Sequence, residues 1–198
     1  MTRAAVAVVI CMMMLTLHTG CGGPMATVTF GPTWGSEEMQ RVAVLPFSDA
    51  EGDPGWNIFV SWATQAQNGE AVACILAEAL LDSGCYNIIE RSNLEGVLDE
   101  YGLSASELID KKGAKEAGRL LGADAIVMGN VSRYGQVGGL WFFADVAFSA
   151  RCVDVNTGEV LWSSSPSVQA FGNATDYTKM MCRDIAAGIM RKWQEKNP

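Results

Sequence analysis

The spacing of apolar positions changes several times along this chain, and the changes divide it into elements. Ala4 to Leu17 is one short apolar run. Gly22 to Gln40 has no period and is rich in Gly, Pro, Thr and Ser, so it reads as a tether, with Thr27–Phe30 its one candidate strand. Val42 to Leu45 is apolar without interruption, the pattern of a strand covered on both faces. Pro46 follows near the strand's end, where a missing donor is tolerated. From Glu70 to Leu81 the period becomes helical: Val72, Ile75, Leu76, Ala79 and Leu80 form one stripe, and Gly84 can end the helix in the left-handed conformation. Tyr86–Glu90 predicts a second strand.

Ser92 to Glu95 then has the form of a capping box ahead of the stripe Leu94, Val97, Leu98 and Tyr101, with Gly102 as the stop. Ser104 to Glu107 repeats that signature. A further helix is predicted over about Lys111–Leu121, with Gly122 past its end, and a third strand over Ala123–Val131. Trp141–Val155 alternates with period two: Phe142, Ala144, Val146, Phe148, Ala150 and Cys152 share one face. The other face carries Trp141, Phe143, Asp145, Ser149 and Arg151, so antiparallel pairing with one partly wet face is expected. Asp154–Glu159 is a turn with Gly158 free to take positive φ, and Val160–Ser164 is the return strand. Asn173 or Thr175 can cap a final helix carrying Tyr177, Met181, Ile185, Ile189 and Trp193. The order predicts one α/β domain over residues 41–198.

The apolar run at the start is too short to span a bilayer, which takes ~20 residues. With Arg3 before it and small residues after it, the run has the form of a secretory signal peptide over residues 1–20. Cys21 stands directly after it, in Leu17-His18-Thr19-Gly20-Cys21-Gly22. A Cys at this place resembles the acylated residue of bacterial lipoprotein signals, which implies that residues 21–40 are a lipid-anchored N-terminus. His18 occupies the position where such signals usually carry Leu. The competing reading is an ordinary signal cut near Gly20 or Ala26, with Cys21 incidental. Gly22 after the Cys lacks the Asp that marks inner-membrane retention, so the outer membrane, periplasmic face, is the expected location.

Composition changes the picture in two ways. The chain of 198 residues is 49% hydrophobic and 18% charged, enough for one folded domain. Its formal charge is −8; without Arg3, 13 basic and 22 acidic residues leave −9, which argues against nucleic acid or anionic headgroups as the main partner. The single histidine, His18, lies inside the signal. A mature chain without histidine has no Ser-His or Cys-His mechanism and lacks the commonest metal ligand. No cofactor, metal site or small-molecule substrate is expected, and the chain is not read as an enzyme. Cys74, Cys85, Cys152 and Cys182 lack C-x-x-C spacing and are read as small buried residues in preference to a disulfide.

Two constellations have a chemical reading and a bland one. Glu90 and Arg91 could be an acid and its partner, but read better as a strand end and helix entry. Asp49, Glu51 and Asp53 could hold calcium, but position 60 is Val60 where the loop would need Glu, so a solvated acidic loop is preferred. The remaining candidates are apolar stretches in expected loops. Trp56, Phe59 and Trp62, and Leu140, Trp141 and Phe142, are candidate partner-binding residues, since an exposed apolar patch marks a contact site. Completing the core is the alternative for the same aromatics.

The strings RVAVLPF (41–47), YNIIERSNLEGVLDEYGL (86–103), AKEAGRLLGADAIVMGNV (114–131) and RCVDVNTGEVLWS (151–163), in that order, resemble the CsgG-like family of exported lipoproteins. Its best-known members form the outer-membrane pore for curli fibres. The resemblance implies a three-layer mixed sheet with flanking helices, similar to anticodon-binding-type domains. It also implies an assembly or secretion component with envelope proteins, or copies of itself, as partners. Pore-forming members carry two long transmembrane hairpins; here one long hairpin is expected, and the resemblance assigns it to the soluble sheet. The alternative function is a monomeric periplasmic module regulating an envelope enzyme such as a peptidoglycan synthase, LpoB-like.

Overall fold

In the computed structural model, residues 25–35, 41–49, 68–89, 111–137 and 143–197 are described. The elements are β1 (Thr29–Phe30), β2 (Arg41–Val44), β3 (Ser48–Asp49), α1 (Asn68–Ser83), β4 (Asn87–Ile88), α2 (Lys111–Leu121), β5 (Ala125–Val137), β6 (Phe143–Asp154), β7 (Val160–Ser164), β8 (Ser167–Phe171) and α3 (Ala174–Lys196). They build an eight-stranded mixed sheet in the order β1-β7-β6-β5-β2-β4, with β3 on β5 and β8 on β6. The β1/β7/β6/β5 side is antiparallel, and β5/β2/β4 is parallel.

The unbroken apolar run of β2 has the expected cause. Val42 and Val44 pack with α1 and α3 on one face, while Ala43 and Leu45 pack with Ala117 and Leu121 of α2 on the other. Three layers follow: α1 and α3, the sheet, then α2. The larger core lies under α1 and α3, where Leu76, Leu80, Met181, Ile185 and Ile189 are fully buried. On β6 the alternation puts Ala144, Val146, Phe148, Ala150 and Cys152 into that core. The opposite face carries Asp145, Ser149 and Arg151 in partial or full exposure.

Local signals act where they were read. Gly84 and Gly122 end α1 and α2 at φ 68° and 60°. Asn173 caps α3, its side-chain oxygen accepting from the Thr175 N–H at 2.8 Å. In the β6–β7 turn Asp154 Oδ1 accepts from the N–H groups of Asn156 and Thr157 at 2.8 and 2.7 Å, and Gly158 takes φ 76°. The predicted helices at 92–107 lie outside the described residues.

Three features differ from expectation. β5 runs six residues past Val131, continued by a bulge between Val131 and Arg133, and makes a long antiparallel ladder with β6. β8 follows β7 after Pro166 and extends the pairing along β6. Residues 25–35, within the stretch read as a tether, are docked: Ala26 is buried, β1 pairs with β7, and Met25, Val28, Phe30 and Trp34 pack on the core.

Candidate functional site

Cys21, Trp56, Phe59, Trp62, Leu140, Trp141 and Phe142 all lie outside the described residues, as do Glu51, Asp53, Glu90 and Arg91. Asp49 is described, and its carboxylate has a structural partner: Oδ1 accepts from the Gly69 N–H at 2.9 Å, at the first turn of α1. Among the described residues no three His, Cys, Asp or Glu side chains gather as a metal site, and no helix is long and apolar enough to cross a membrane.

What the described residues present are surfaces. The first is the end of the sheet where the β5–β6 ladder finishes. Phe143 stands opposite Phe171 in the β6–β8 register, and the two rings meet edge to face with centroids 4.5 Å apart. Phe171 is 65% exposed and Phe143 36%. One pair along on the same face, Arg133 Nε donates to Asp145 Oδ1 at 2.8 Å. Phe171 was not singled out in the sequence. Its signal is there in retrospect: in Ser167-Val168-Gln169-Ala170-Phe171 it falls in alternation with Ser167 and Gln169, the polar side.

The second surface is a groove of about 370 Å³ on the α2 side of the sheet, where Ser48, Asn130, Ser149, Arg151, Ser163 and Ser165 line it together with apolar Leu45, Pro46, Met128 and Ala150. Asn130 Nδ2 donates to Ser48 Oγ at 3.0 Å. Among the described residues no carboxylate lines it, although the chain is acidic. The third is an apolar groove of about 330 Å³ between α1 and the β4 edge, lined by Val44, Ala73, Cys74, Leu81, Ile88 and Ile89 among others. Leu81 is exposed there.

The four described cysteines form no disulfide. Cys85, Cys152 and Cys182 are buried as expected, whereas Cys74 is exposed, because it lies off the buried stripe of α1. Burial pushes all three buried thiols upward, Cys182 to about 12, so none is a nucleophile at neutral pH.

With this geometry the comparisons have a definite meaning. The family model described as "Curli production assembly/transport component CsgG" matches residues 32–138, just over half of the chain. The chain belongs to the CsgG family. No curated protein matches it in sequence. Among solved structures it is similar to the PelC dodecamer from Paraburkholderia phytofirmans, at 16% identity and TM-score 0.56, over 83% of this chain and 96% of that one. It is also similar to the lipoprotein GNA1162 from Neisseria meningitidis, at 19% identity and TM-score 0.54, over 80% of this chain and 99% of that one. LpoB of E. coli follows at 18% identity and TM-score 0.50, over 70% of this chain and 60% of that one. At these identities the likeness is one of fold. It extends along nearly the whole length of PelC and GNA1162, so this chain is a compact member of the family.

Proposed function

We propose that this protein is a non-enzymatic assembly or secretion-associated component of the bacterial cell envelope, exported and held to the outer membrane by lipid on Cys21. The observation that carries the reading is membership of a family described by curli assembly and transport, in a chain whose Cys21 directly follows a signal-like segment. A closed ring needs two complementary patches on each subunit. The serine-lined groove on the α2 side of the sheet and the apolar groove between α1 and β4 supply two patches on different parts of the domain. PelC, a fold relative, is described as a dodecamer, and a homo-oligomer is the proposed state here. Trp56, Phe59 and Trp62 remain proposed contacts to envelope proteins.

The alternative is a monomeric module that binds and regulates an envelope enzyme, favoured by the fold likeness to LpoB. The anchor is tested by Cys21→Ser. The variant should appear as an unacylated chain, read by mass, and leave the membrane fraction. Normal processing with full membrane retention would contradict the lipid anchor.

A further inference from the structure

The path of residues 25–35 limits where an anchor on Cys21 can emerge. Thr29 and Phe30 pair antiparallel with Ser163 and Trp162, and Ser164 Oγ donates to the Thr27 carbonyl at 2.7 Å. Followed backward, the chain therefore runs from Trp162 past Ser164, in the direction of β8 and Phe171. A second set of contacts agrees. The Met25 N–H donates to Asp184 Oδ2 at 2.6 Å, Val28 lies against Gly188, and Lys196 Nζ donates to the Gly35 carbonyl. The segment thus runs alongside α3 in the same direction, and its beginning points toward the first turn of α3. That turn starts at Ala174, three residues after Phe171.

The leash is short. Cys21 precedes Met25 by four residues, which span at most ~14 Å when extended. From Asp184 back to Ala174, ten residues of helix rise ~15 Å. The twelve residues of β6, by comparison, extend over ~40 Å. A lipid on Cys21 therefore lies within ~14 Å of Met25, and the course of residues 25–30 aims it toward the Phe143–Phe171 end of the domain.

We propose that this end is a second membrane contact, with Phe143 and Phe171 resting in the interfacial layer beside the lipid; the proposal builds on the lipid-anchor reading of Cys21. Aromatic rings at headgroup depth are favoured. Met180, in the second turn of α3, adds an exposed apolar side chain toward the same end. The domain is acidic, so the contact is an apolar one and should persist when salt is raised.

The test uses the full acylated chain in vesicles of zwitterionic lipid. In a Cys74→Ser background, an environment-sensitive dye is placed by Phe171→Cys or, as the control at the far end of α3, by Glu195→Cys. The dye at 171 should shift to shorter wavelength and be quenched by spin-labelled lipid, in low and high salt, while the dye at 195 stays aqueous. Equal, aqueous behaviour at both positions would overturn the contact. So would a change at 171 that requires added envelope protein, because a protein would then be the occupant. Acylation is read separately from the mass of the same sample. An acylated chain with an aqueous 171 refutes the contact alone, and an unacylated chain with a lipid-quenched 171 supports the contact while refuting the anchor.

Discussion

The indole Nε1 of Trp162 donates a 3.1 Å hydrogen bond to the phenol oxygen of Tyr86, and both residues are buried. The bond ties β7 to the segment that enters β4, on opposite sides of the sheet order. The Tyr86 hydroxyl therefore satisfies a buried donor 76 positions away in the chain. Tyr86→Phe keeps the ring and removes the oxygen, stranding the Trp162 N–H. A loss of ~1–3 kcal/mol is expected in denaturant unfolding; an unchanged midpoint would mean that the indole finds another acceptor.

The register of α1 predicts a contrast between neighbours. Leu80 is fully buried against the sheet and α3, so Leu80→Ala should cost ~2–5 kcal/mol. Glu78 points to solvent, and Glu78→Ala should change stability by less than ~0.5 kcal/mol. Equal costs would place the helix in a different register.

How much of this was legible in the sequence depended on how local each signal is. The two faces of β2, the stripe of α1, the bounds of α2, and the cap of α3 were readable because each rests on residues within a few positions of one another. Docking of residues 25–35 was not, since Met25 and Ser164 find partners more than 130 positions away. β8 was missed because it is five residues long behind Pro166 and earns its strand state only by pairing with β6. The Phe143–Phe171 pair has the same origin: one ring stood in a visible alternation, and its partner came from an unforeseen strand. The final helix stripe included Trp193, which is exposed together with the rest of residues 191–197 at the helix's end.

Titration of the buried thiols and phenol gives stability an alkaline limit. Burial raises Cys85, Cys152 and Cys182 above their ordinary 9.0 and Tyr86 above its ordinary 10.0. Above those values the unfolded chain releases protons that the native chain retains, so stability falls as pH rises. Unfolding free energy should be insensitive to these groups below pH 9 and decline beyond it. The same burial predicts that maleimide labels Cys74 in the native protein and reaches the other three only on unfolding; rapid native labelling of Cys152 would contradict their placement.

Purified mature protein should not conduct in planar bilayers. A membrane hairpin needs an apolar face turned to lipid, and the apolar face of β6, from Ala144 to Cys152, is already buried with α1 and α3. Steady channel currents would show that other parts of the chain build a pore.

The central claim is that this compact domain works as an assembled envelope component. Its native mass after mild detergent extraction tests that claim most directly. The account predicts a discrete species of several identical acylated subunits, stable on dilution. A strictly monomeric mass across concentrations would contradict assembly and favour the monomeric regulator.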